Sequence, residues 1–168
     1  IELRDKIVEE KSRIGDLEAD TVIGANHKGA IVTLVDRMSK FSLFTLVPDK
    51  TKESVTKAIE SSLGALKKII LTITFDNGKE FAGHQHIATT LEVKCFFARP
   101  YHSWERGLNE HTNGLLRQYI PKKSNFEKLT QTDIDIAQND LNNRPRKVLN
   151  YRTPAEVFFE HASVAFAA

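Results

Sequence analysis

The chain has little of what would stabilise or anchor it from outside. One cysteine, Cys95, stands among 168 residues, so an internal disulfide is excluded. It sits in the strand-like run KCFFA as a small buried hydrophobe, and the chain suits a reducing, cytoplasmic setting. No signal-peptide pattern opens the sequence, and no apolar run approaches the ~18 residues a membrane helix needs, so a membrane partner is not expected. The one methionine is Met38, which makes the chain read as a piece of a longer protein. No Cys-x-x-Cys or His-x-x-x-His framework accompanies His84, His86 and His102, which disfavours zinc. No repeat, low-complexity tract or linker divides the chain, and its length suits one domain over residues 1–162, with a frayed tail at 163–168.

Charge of one sign is also scarce: the net charge is +2. Its distribution is more informative. Residues 1–90 carry 13 basic and 13 acidic side chains, and residues 91–168 carry 11 and 9. Arg144, Arg146, Lys147 and Arg152 follow one another without an intervening acid, and Lys122 and Lys123 lie just past a helical stretch. Such clusters suit phosphate contacts, or they are solvated loop charges.

Periodicity supplies the elements. Residues 15–24 and 41–47 read as strands, and AIVTLVD at 30–36 is an apolar run expected of a strand covered on both faces. The connections are too short for crossovers, so these three form an antiparallel meander. A helix capped by Thr51 runs to about Leu66, followed by a strand at 68–75, a short helix at 84–91 and a strand at 93–98. Strands alternating with helices pair in parallel through right-handed crossovers. Helices are then expected at 103–119, at 132–142 and, opened by Thr153-Pro154, at the end of the chain. Three antiparallel strands followed by two parallel ones, flanked by helices, make an α/β, mixed five-stranded sheet with the outline of a ribonuclease-H-like fold.

Three of these elements carry carboxylates. In GDLEADTVIG, Asp16, Glu18 and Asp20 share one strand face by period-two alternation. If that face is covered, desolvation and repulsion penalise the acids unless cations compensate; an edge strand facing water is the plain alternative. Asp76 ends a strand at an Asn-Gly turn, where it also serves as a turn residue. In SWERGLNEHTNGLLRQY, Leu108, Thr112, Leu115 and Tyr119 form one helical stripe and Glu110, Asn113 and Arg117 the opposite one. Tyr101 and Trp104 flank the entry to this helix, as core packing or as a stacking platform for a base. Hard oxygen ligands of this kind suit Mg²⁺ or Mn²⁺, and two such ions ~3.5–4 Å apart serve in-line phosphoryl displacement.

Asp76 and Glu110 are separated by 33 residues, and Arg117 follows Glu110 by seven. This resembles the DDE catalytic core of retroviral integrases and bacterial insertion-sequence transposases. The ordered blocks GDLEADTVIG, HKGAIVTLVDR, TFDNGKEFAGH, RGLNEHTNGLLRQYIPK and LNNRPRKVLNYRTPAEVF resemble more closely the insertion-sequence "thirty" family, over nearly the whole chain. The resemblance implies that Asp20, Asp76 and Glu110 are the catalytic, metal-holding acids, with two Mg²⁺ or Mn²⁺ ions in the active complex. It implies DNA cleavage and strand transfer, and a DNA contact from Arg117. By position in the sequence, Asn113, Lys79 and Arg106 are further candidates for phosphate contact, and Glu18, on the same strand face as Asp20, and Asn109, beside Glu110, for support behind the site. Family members often carry Trp and Gly where this chain has Leu17 and Ala19, a departure that touches packing beside the acid. Transposon and target DNA, a homodimer or higher assembly, and an N-terminal helix-turn-helix region outside this chain are the implied partners. The alternative from another class is a non-catalytic DNA-binding or assembly module of the same fold.

Overall fold

The computed structural model describes residues 3–25, 28–99 and 107–167. Five strands form one sheet: β1 (Asp16–Ile23), β2 (Ala30–Asp36), β3 (Ser42–Val47), β4 (Thr72–Phe75) and β5 (Lys94–Phe97), in the order β3-β2-β1-β4-β5. The first three pair antiparallel, while β1–β4 and β4–β5 are parallel, as the short and long connections respectively require.

β1 is central, not an edge, so both of its faces are covered. Leu17 and Ala19 point to one side, where Val32, Leu34, Val55, Ile59, Ile87 and Leu91 join them. Val55 and Ile59 come from α2 (Lys52–Leu63), and Ile87 and Leu91 from α3 (His84–Leu91). On the other face Val22, Ile31 and Phe44 pack with Leu116 of α4 (Gly107–Tyr119) and with Ile134, Ala137 and Leu141 of α5 (Gln131–Asn142). A short α1 (Lys6–Glu10) precedes the sheet, and α6 (Pro154–Ala167) packs Phe158 in a stack on Phe41 with ring centroids 4.6 Å apart.

Local chemistry explains the boundaries. Thr51 caps α2 through Ser54 N–H, and Thr130 with Asp133 forms a reciprocal capping box that starts α5 before the expected Thr132. α2 stops at Leu63 and tightens into a 3₁₀ turn at Gly64–Leu66. β4 begins at Thr72, later than expected, because Ile69 and Ile70 both donate back to Leu66 O and close a turn instead of extending. Ser103, Trp104, Tyr101 and His102 lie outside the described residues.

Candidate active site

Strand register brings the first two acids together. Glu18 of β1 pairs with Thr74 of β4 as the last pair of this parallel register, and Asp20 and Asp76 each follow that pair by two residues on adjacent strands. Asp76 follows the last residue of β4, while Asp20 stays within β1, paired with Thr33 of β2, so both lie past the C-terminal end of the β1–β4 pairing. Asp76 Oδ1 accepts the Gly78 N–H at 2.8 Å, so the turn fixes its carboxylate. A side chain there would displace both acids: a Cβ would fall 2.7 Å from Asp76 Oδ1 and 2.4 Å from Glu80 Oε2.

α4 brings the third. Its side chain Asn113 donates to Asp20 Oδ2 at 3.0 Å, docking the helix on the central strand. Glu110, one turn earlier, is exposed and lines the same open cleft of about 510 Å³ as Asp20, Asn113, Gly114, Arg117 and Lys122. Among the described residues, no three His, Cys, Asp or Glu side chains stand close enough to hold one ion together.

The acids of β1 have separate fates. Asp16 is buried and bridged by Arg13 at 2.7 Å, and it accepts the Thr72 hydroxyl at 2.7 Å. Hydrogen bonding and charge attraction from Asp16 hold the Arg13 guanidinium above its usual range. Glu18 is also buried, with Arg37 Nη1 2.9 Å from Oε1, while Oε2 accepts the Asn109 N–H at 3.1 Å. That N–H belongs to the first turn of α4, one of the unpaired donors that carry the helix's positive end. Arg37 is held in turn by Val8 O at 3.0 Å and by Glu9 at 3.3 Å. The cations that make a covered acidic face tolerable are therefore Arg13 and Arg37 for the two buried acids, while half-exposed Asp20 opens to the cleft. Glu18 thereby clamps the start of α4 onto β1. Asn109 is fully buried next to this clamp, with neither polar atom of its side chain hydrogen-bonded.

The DNA-contact candidates divide. Arg117 lines the cleft but spends its fork on Ile23 O at 3.0 Å and Pro121 O at 3.3 Å, with its guanidinium 5.9 Å from the Phe126 ring centroid. Burial pushes its pKa down from the ordinary arginine range. Lys79 is exposed in the 3₁₀ turn after Asp76. Arg106 lies outside the described residues.

Glu80 escaped sequence reasoning. It is buried, accepts the Thr21 hydroxyl at 3.1 Å and pairs with Lys50 at 2.6 Å, and its carboxylate is within about 5 Å of that of Asp76 through their shared approach to Gly78. The signal available was an acid in DNGKEF beside a phenylalanine that had to be buried, which draws its neighbour inward too.

A mixed five-stranded sheet flanked by helices, in this strand order, is the fold of a known family. The integrase core domain matches residues 12–103, and the chain belongs to that family. It is 52% identical to the transposase for insertion sequence element IS4351 of Bacteroides fragilis, over 99% of this chain and 52% of that protein. It is 37% identical to the transposase InsI for insertion sequence element IS30A of Escherichia coli, over 92% of this chain and 40% of the relative. The chain thus spans about half the length of the curated relatives it matches. Among solved structures, the catalytic core domain of BIV integrase superposes with a TM-score of 0.70 at 20% identity, covering 90% of this chain and 98% of that one. A chain of the simian T-cell lymphotropic virus intasome in complex with PP2A regulatory subunit B56 gamma superposes with a TM-score of 0.72 at 20% identity, covering 87% and 54%. Both likenesses establish the ribonuclease-H-like integrase-core fold.

Proposed function

We propose that this chain is the catalytic domain of a transposase, a DDE polynucleotidyl transferase that cleaves a transposon 3′ end and joins it to target DNA. The observation that carries the reading is that Asp20 and Glu110 line one open cleft, with Asp76 on the strand next to that of Asp20, two residues past their last paired position. The family relationship and the transposases among its relatives support it.

The donor set fits Mg²⁺ or Mn²⁺. Ions of this kind are held by one or two carboxylates and take the rest of their shell from water and substrate phosphate oxygens, so a ready-made cage of three acids is not needed before DNA arrives. Asp20, Asp76 and Glu110 would hold two ions in the active complex, which when bound supply Lewis acidity to the scissile phosphodiester. The chain's own residues do the positioning. Asn113 orients Asp20, the Gly78 N–H orients Asp76, and Glu18 with Asn109 N–H sets the start of the helix that carries Glu110. Arg117, Lys122, Lys79 and Arg106 supply positive charge for the phosphates on either side of the scissile bond. The carboxylates act as ligands, so water and then the freed 3′-OH are the nucleophiles, and no covalent protein–DNA intermediate forms.

Transposon ends and target DNA are the partners, met in the bacterial cytoplasm by a homodimer or higher assembly. A helix-turn-helix region of the longer protein reads the terminal inverted repeats. The test is a strand-transfer assay on cognate ends with the full-length protein. Glu110→Gln is nearly isosteric but loses the charge, so transfer should fall by orders of magnitude while DNA binding holds. Unchanged transfer would remove Glu110 from the site; wild-type protein that binds ends without joining them would favour a non-catalytic assembly module.

A further inference from the structure

The residues after α5 fold into a small closed loop that the cleft does not use. Arg146 N–H donates to Arg152 O at 3.0 Å, while Leu149 and Tyr151 N–H both donate to Arg146 O at 2.9 Å. A 3₁₀ turn at Lys147–Leu149 completes the ring of bonds. Closing it forces two consecutive non-glycine residues, Asn150 at φ 54° and Tyr151 at φ 64°, into the left-handed region. Asparagine tolerates that conformation, but a tyrosine rarely adopts it. The ring of backbone bonds offsets the strain, but the side chains gain no packing from it, since Tyr151 is 71% exposed and neighbouring Val148 is 73% exposed. Strain held rigid around an exposed aromatic points to a partner outside the molecule.

The charge says which partner. Arg144, Arg146, Lys147 and Arg152 surround the ring without an acid in the segment. Arg152 pairs with Glu160, and Arg146 donates to Leu141 O. Among the described residues, Arg144 donates to the neutral amide of Gln118 at 3.3 Å, and no acid pairs with it or with Lys147. Gln118 is one helical turn beyond Gly114 on α4, and Gly114 lines the cleft with Asp20 and Glu110. A Cβ on Gly114 would meet nothing within 4 Å, so no contact within the protein calls for a bare backbone in mid-helix. The exposed ridge Glu110, Gly114, Gln118 therefore leads from the acids to the basic loop.

We propose that the loop at 143–152 is a second DNA-contact surface, reached from the cleft across Gly114, where Arg144 and Lys147 take backbone phosphates and the Tyr151 ring stacks on a base. The inference rests on the transposase reading and extends its substrate path. The test uses this chain and a fluorescent duplex with a single-stranded tail, titrated at several salt concentrations. Arg144→Ala with Lys147→Ala should flatten the slope of log affinity against log salt by about 1.8, from two lost phosphate contacts. Lys52→Ala with Lys57→Ala, on exposed positions of α2 across the sheet, should change it far less. Tyr151→Gly suits the left-handed backbone, so its unfolding midpoint should hold or rise while affinity for the tailed duplex drops about tenfold. Equal slopes for the two lysine and arginine pairs, or full affinity in Tyr151→Gly, would overturn the proposal. Lys122→Ala in the cleft separates the two levels: if it weakens binding and the loop variants do not, the loop fails and the cleft stands. If the wild-type chain does not bind the duplex at all, both fail.

Discussion

Glu18 is the residue whose loss separates holding the fold together from holding the site together. Its side chain is 1% exposed and that of Arg37 is 2% exposed, with 2.9 Å between the charged atoms. Removing one partner of a buried pair costs about 3–5 kcal/mol when the other charge is left alone, and that is the upper bound here because Glu9 still faces Arg37 at 3.3 Å. For a domain whose whole stability is ~5–15 kcal/mol, that is a large share. Glu18→Gln keeps the volume but turns an amide toward a guanidinium, so thermal unfolding should move down by at most about 6–20 °C, at ~2–4 °C per kcal/mol for a chain of this size. Replacing both partners with methionine removes the unpaired charge and should recover much of the lost stability, less the cost of the orphaned Asn109 N–H and Val8 O. Catalysis should not recover with it. The Asn109 N–H still lacks its acceptor, and Glu110 is the next residue along the helix. Unfolding measured beside strand transfer decides the matter. A Glu18→Gln chain as stable as wild type, or a double methionine variant with full transfer, would refute the clamp.

Other outcomes follow from the same geometry. Gly114→Ala should raise stability by ~0.5–1 kcal/mol, because alanine suits a helix interior better and its methyl meets nothing, yet it should weaken DNA binding; a gain in both would remove the glycine's role at the cleft. Arg117→Ala should lower DNA affinity for all sequences and flatten the salt slope by about 0.9, with a stability loss near 1 kcal/mol from its carbonyl bonds, read by titration and denaturant melts. Burial pushes the Cys95 thiol up to about 11. Alkylation at pH 8 should then run ~100-fold slower than for an unperturbed thiol, and labelling at the free-thiol rate would contradict the packing.

The fold was legible where periodicity and connection length speak for themselves. AIVTLVD declared a strand buried on both faces, and all seven of its residues are buried. The short links between β1, β2 and β3 allowed only a meander, and the helices between later strands required parallel pairing. Boundaries were less legible where an apolar run was ambiguous. Ile69 and Ile70 read as strand but close a turn, because the chain bends there to deliver Thr72 next to Asp16. The acids of β1 were visible as a face, and the family resemblance singled out Asp20, but the period-two pattern alone did not say which of them opens to the cleft. That depends on Arg37, 19 residues beyond Glu18, folding back over it, and on Arg13 reaching Asp16. Glu80 stayed hidden for a similar reason: its partners, Thr21 and Lys50, lie far away in sequence.

The central claim is that Asp20, Asp76 and Glu110 share divalent ions at a bound phosphodiester. The direct measurement counts Mn²⁺ on the full-length protein bound to cleaved transposon-end DNA, beside Asp76→Ala in the same complex. The account predicts two ions per active site in the wild type and loss of binding in the variant, with its fold and DNA affinity kept. An equal Mn²⁺ count in both proteins would contradict it.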